Sequence, residues 1–70
     1  MLESNIKIGE TWETRDGRKV LVRCYIKDKL YPIVVKDMNT NEVYTVSREG
    51  LWEIYYAYKP SGKDLVYRVN

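Results

Sequence analysis

Residues 19–27, KVLVRCYIK, alternate between apolar and polar positions with a period of two. Val20, Val22, Cys24 and Ile26 fall on one face, and Leu21, Arg23 and Tyr25 on the other, which is the pattern of a strand with one buried side. A shorter β-prone run, Thr11–Thr14, precedes it across the segment Arg15-Asp16-Gly17-Arg18. Loop length decides how the two strands meet. A two-residue Asp-Gly turn would set Glu13 against the core position Val20. A three-residue loop, Arg15-Asp16-Gly17 with Gly17 in the left-handed conformation, sets Trp12 against Val20 and Glu13 against Lys19. The second register buries an indole and pairs opposite charges outside, so the sequence favours it. Trp12, Val20, Val22, Cys24 and Ile26 are then the expected core.

The same reading extends along the chain. Met1 to Gly9 is a short lead-in in which Ile6 and Ile8 alternate. Tyr31–Asp37 is a third strand, with Pro32 confined to its start or to an edge because proline donates nothing to a ladder. Asn39 and Asn41 suit a turn with unusual dihedrals, and Glu42–Val46 is the fourth strand. Residues 52–58, WEIYYAY, are aromatic and β-prone, with the first turns of a helix as the alternative. A four-residue loop over Pro60–Lys63 would pair this run with residues 64–69. That hairpin places Trp52, Ile54, Tyr56, Tyr58, Leu65, Tyr67 and Val69 on a core face. It leaves Glu53, Tyr55, Ala57, Val66 and Arg68 outside, with Tyr55 opposite Arg68. Short strands at regular spacing, with no linker or repeat, predict one all-β domain over residues 1–70. The expected fold is a five- to six-stranded antiparallel sheet curled toward an SH3-like or OB-like barrel.

Composition changes this picture in three places. The chain has 70 residues, and one this short buries only about 60% of the surface its unfolded form exposes, so its core is marginal. Cys24 is the only cysteine and there is no histidine, which removes an intrachain disulfide and the usual thiolate or imidazole metal sites. Self-association is the remaining external source of stability, and a symmetric homodimer is its commonest closed form. The expected contact is the 52–58 ribbon, or the edge of the Tyr31–Asp37 strand, which Pro32 would weaken. The aromatics are two Trp and seven Tyr with no Phe. Each buried tyrosine hydroxyl needs a partner, so several of these rings are expected to be half-exposed, at a sheet edge or an interface. Charge is nearly balanced, 12 cations against 10 acids, which is unlike the clustered basic face of a duplex-binding protein. No apolar run approaches the ~20 residues of a membrane span, no signal-peptide pattern is present, and a free cysteine fits a cytoplasmic protein.

Catalytic signatures are missing. Without histidine there is no Ser-His or Cys-His pair, and Cys24 on an apolar face reads as a buried, inert thiol. SGKD, residues 61–64, resembles the end of a phosphate loop, but Ala57 stands where that motif needs Gly and Asp64 where it needs Ser or Thr. Asp16, Asp28, Asp37 and Asp64 all fall in or beside turns, where Asp is favoured for local backbone reasons. No enzyme activity and no cofactor are expected. The binding candidates are aromatic-plus-arginine pairs: Arg23 with Tyr25, and Tyr55 with Arg68. Tyrosine faces stack on bases, and guanidinium planes stack or grip phosphate. The same pairs also serve as ordinary cross-strand contacts contributing under about 1 kcal/mol. Arg15, Arg18 and Lys19 crowd the TRDGRKV tip, but Glu10, Glu13 and Asp16 lie among them, so the cluster reads as a solvated hairpin end.

Gly9 with Trp12, TRDGRKV, Tyr31-Pro32, VYT at 43–45, Gly50 and DLV at 64–66 together resemble small β-proteins carried by tailed bacteriophages. In such proteins a glycine often stands shortly before the Tyr-Thr, where this chain has NTNEV. The resemblance implies a phage-encoded accessory or anti-defence protein of the host cytoplasm, which inhibits a host protein or sequesters a small nucleotide signal stoichiometrically. The alternative is a small-barrel nucleic-acid-binding module using Tyr and Arg on an open sheet face. Salt separates the two, because phosphate contacts weaken steeply as salt rises and a tyrosine-rich protein interface does not.

Overall fold

The hairpin expected around Gly17 forms in the expected register. Trp12 lies opposite Val20 and Glu13 opposite Lys19, and Gly17 takes a φ of +90°. Thr14 N–H donates to the Arg18 carbonyl at 2.7 Å and Gly17 N–H to the Thr14 carbonyl at 3.0 Å, closing the three-residue loop. This structure, a computed structural model, describes residues 6–52 and 61–70. Within them the strands are β1 (Thr11–Thr14), β2 (Lys19–Tyr25), β3 (Ile33–Asp37), β4 (Val43–Val46) and β5 (Leu65–Arg68). They form one antiparallel sheet in the order β4-β3-β2-β1-β5, and the described residues contain no helix, hence none long and apolar enough to cross a membrane. The fold is all-β, as the alternation required.

Two features curl the sheet toward a barrel. The first is at its ends: residues 47–52, which follow β4, reach the start of β5. Ser47 N–H donates to the Leu51 carbonyl at 2.8 Å, and Leu65 N–H to the Gly50 carbonyl at 2.8 Å. Gly50 makes this possible with a φ of +88° and no side chain where Leu65 and Ile6 press closest. The second is a register shift in β2, between Val22 and Cys24. Val22 faces Val35, but Cys24 faces Val34, so Arg23 is an extra residue on the β2 side, a β-bulge that bends and twists its strand.

That bulge corrects the expected core. Because side-chain direction has a period of two, one inserted residue turns every later side chain to the other face. Val20 and Val22 are fully buried, whereas Cys24 is exposed and Ile26 is 46% exposed. The core is Ile6, Val20, Val22, Ile33, Val35, Val46 and Leu65, with Trp12 and Tyr44 packed partly against it. Burial of each aliphatic side chain contributes roughly 1.5–3 kcal/mol. Ile6 therefore makes the end of the lead-in part of the fold, and the Gly9 N–H to Val22 carbonyl bond, 2.9 Å, ties it to β2.

The expected C-terminal core face is also corrected. β5 pairs with β1, and its register shifts between Glu13 and Thr14, so that Thr14 meets Leu65 and Glu13 meets Tyr67. Leu65 is buried, but Tyr67 and Val69 are 62% and 42% exposed, and Trp52 is 40% exposed. The expected pairing of residues 53–58 with 64–69, and Tyr55 with it, lies outside the described residues. Tyr31–Asp37 offers no edge, since β3 is flanked by β2 and β4. Pro32 stands just before it and accepts a 2.7 Å bond from Ile26 N–H, as a strand-leading proline should.

Candidate functional site

Three turns meet at one end of the sheet: the hairpin tip 15–18, the β3–β4 turn 37–42, and residues 61–64. Arg18 links the first two. Its Nη2 is 2.9 Å from Asp16 Oδ2, and its Nη1 is 3.3 Å from Asp37 Oδ2 and 3.7 Å from Glu42 Oε1. Arg15 reaches Asp64 at 3.3 Å, and Lys63 reaches Glu42 at 2.9 Å. The remaining tip cation, Lys19, faces Glu13 at 3.7 Å.

The buried members of this network organise the backbone. Asp37 has no exposed surface. Its Oδ1 accepts from Asn39 N–H at 2.8 Å and Thr40 N–H at 3.0 Å. Those backbone donors, with Arg18 adding to them, hold its carboxyl below the usual range despite burial. Asp64 accepts from Trp52 N–H at 2.9 Å and Ser61 N–H at 3.0 Å. Asp16, bonded first by Arg18 and then by the Thr14 hydroxyl, is lowered to about 2. The same contact with Asp16 raises Arg18.

Across the three turns, Arg15, Arg18 and Lys63 meet Asp16, Asp37, Glu42 and Asp64. Three cations against four carboxylates leave no surplus positive charge. A phosphate would have to displace a carboxylate from each arginine, two of those carboxylates being buried and bonded to the backbone. The TRDGRKV tip is a structural clamp. It is also less solvated than its sequence implies, since Arg18 is only partly exposed and bridges to a buried acid. Sequence reasoning missed the links between these turns because their partners lie 19 to 49 residues apart along the chain.

The expected binding residues take separate places. Arg23 stands at the bulge and, with Cys24, Val34 and Val43, lines a shallow depression of ≈ 280 Å³ on the outer face of the sheet. Lys36 lies beside it, opposite Val43, and neither Arg23 nor Lys36 forms an ion pair among the described residues. Tyr25 points to the other face: it pairs with the buried Ile33, and its hydroxyl donates to the Ile6 carbonyl. The bulge thus separates Arg23 from Tyr25. Arg68 pairs across from Trp12 and reaches Glu10 Oε2 at 3.0 Å, while the Trp12 indole N–H donates to Glu10 Oε1 at 3.0 Å. Lys7 N–H, the Trp12 indole and Arg68 together keep the Glu10 carboxyl below its usual range. Arg68 is therefore engaged within the fold. The outer-face apolar group of Cys24, Val34 and Val43 was hidden from the sequence by the bulge.

No protein-family model, curated protein or solved structure matches the chain.

Proposed function

We propose that this chain is a non-enzymatic binding protein that acts by stoichiometric contact, with the outer face of β2, β3 and β4 as its contact surface and a protein as its target. The observation that carries this reading is the depression between Arg23, Cys24, Val34 and Val43, where Val43 is 59% exposed. Protein interfaces favour an apolar centre with arginine close by, and this face has both. Arg15 and Arg18 at the hairpin tip are each paired with carboxylates, which weighs against a phosphate grip there. The resemblance to small phage β-proteins supports an accessory or anti-defence role in which a host protein is inhibited.

Cys24 gives a direct test, since it sits in the depression and is the only cysteine. A photo-crosslinker attached to Cys24 should trap one host protein at equal stoichiometry. Val43→Glu should abolish that adduct, while Ile8→Glu, on an exposed residue of the lead-in, should leave it. Adducts that survive Val43→Glu, or that consist of nucleic acid and vanish steeply with salt, would overturn the reading.

A further inference from the structure

Lys63 holds its ammonium between two aromatic rings. Its Nζ lies 5.1 Å from the centroid of Tyr44 and 4.9 Å from that of Trp52, and 2.9 Å from Glu42 Oε2. Two π faces and one carboxylate around a positive nitrogen make up a site for an organic cation, because ring quadrupoles attract charge most strongly where water is excluded. A simple loop clamp would show the same contacts, so the way the walls are held decides what more the site can do.

The backbone that carries each ring is held without the ammonium. Tyr44 is fixed on β4 opposite the buried Val35, its hydroxyl donates to the Lys63 carbonyl at 3.2 Å, and burial pushes its phenol up to about 12. Trp52 is anchored through its main-chain N–H to the buried Asp64. Glu42 keeps Arg18 as a second cation at 3.7 Å. The Lys63 ammonium sits on a flexible four-carbon stem and can leave while its own backbone goes on holding the cage. Trp52, 40% exposed, leaves the site open to solvent on one side.

We propose that Tyr44, Trp52 and Glu42 form a cage for a quaternary ammonium group, and that Lys63 fills this cage in cis and so keeps it closed. A quaternary nitrogen has no N–H to satisfy and loses little water on entering between ring faces, whereas the Lys63 ammonium can exchange Glu42 for water when it withdraws. A tethered plug lowers the apparent affinity for any external cation by the fraction of time the cage is closed. This inference does not rest on the outer-face reading, since Tyr44 faces inward from β4 and Val43 outward.

Choline is a suitable probe, with uncharged 3,3-dimethylbutan-1-ol as its isostere, and the indole N–H signals of the two tryptophans in a nitrogen-15 spectrum report where it binds. In Lys63→Ala, choline should move the Trp52 signal saturably, with an apparent affinity about tenfold or more above that of the unsubstituted protein. The Trp12 signal should stay in place, and the uncharged isostere should have no such effect. Should Lys63→Ala lose its fold, Lys63→Gln keeps most of the stem without the charge and carries the same comparison. Equal responses with and without Lys63, an equal response to the isostere, or no saturable shift up to about 100 mM in the folded variant would each overturn the cage.

Discussion

Gly50 and Gly17 hold nearly the same backbone angle, φ +88° and +90°, in very different surroundings. A Cβ on Gly50 would stand 3.1 Å from both Leu65 Cβ and the Leu65 carbonyl and 3.2 Å from Ile6 Cδ1, while one on Gly17 would meet nothing within 4 Å. Gly17→Ala should therefore cost only left-handed strain, about 1–2 kcal/mol. Gly50→Ala should add overpacking of about 1–3 kcal/mol. Urea unfolding of the two variants checks the order, and equal losses would refute it. Asp37 permits a similar contrast. Asp37→Asn keeps an oxygen for Asn39 and Thr40 N–H but gives up the Arg18 pair, and Asp37→Ala gives up both. The alanine variant should be the less stable by about 1–3 kcal/mol, the cost of buried donors left unmet. That Asp37 belongs to a turn was legible from residue type; that it is fully buried was not, because Arg18 closes over it from 19 residues away.

Among the elements, β1 and the first half of β2 were fully legible and the second half of β2 was not. In the first hairpin, loop chemistry and hydrophobic pattern point to the same register, and Gly17 supplies the dihedral that it needs. Beyond Val22, KVLVRCYIK continues its alternation without any Gly, Pro or Asn to announce an extra residue. The bulge at Arg23 is imposed from outside the strand, by the pairing of Tyr25 with Ile33 and the hydroxyl bond from Tyr25 to Ile6. The pairing of β5 with β1 was not legible for a related reason: it spans more than 50 residues of sequence and leaves no local mark. The bulge makes a clear prediction at Cys24. A thiol reagent should label Cys24 in the folded protein at a rate close to that in denaturant. Cys24→Ser should change stability by no more than about 0.5 kcal/mol, as for a surface position. Protection of the thiol, with a large loss on substitution, would mean that β2 keeps its alternation and that the bulge is absent.

At the scale of the whole molecule, the Cα radius of gyration of 10.9 Å agrees with the about 11 Å expected of a compact chain of this length. Among the described residues the fully buried core is small and aliphatic. Much of what fixes the loops is instead ionic: Asp37 and Asp64 are buried under arginines, and Asp16, Asp28, Asp37 and Glu10 all have carboxyls lowered by backbone donors or cations. A group whose folded value is depressed adds stability above its unfolded value, near 4 for these acids, and loses it as pH falls through the folded value. Here that window opens near pH 4 and extends down to about 2, where Asp16 titrates. Over that interval the unfolded chain binds more protons than the folded one, so stability must fall with pH. The urea midpoint should be flat from about pH 7 to 5 and drop steadily between about pH 4 and 2. In Asp37→Asn the drop should be shallower, because one of the lowered carboxyls is gone. A midpoint that stays level or rises below pH 4 would show that the clamped carboxylates contribute nothing to the fold, and that the aliphatic core alone holds it.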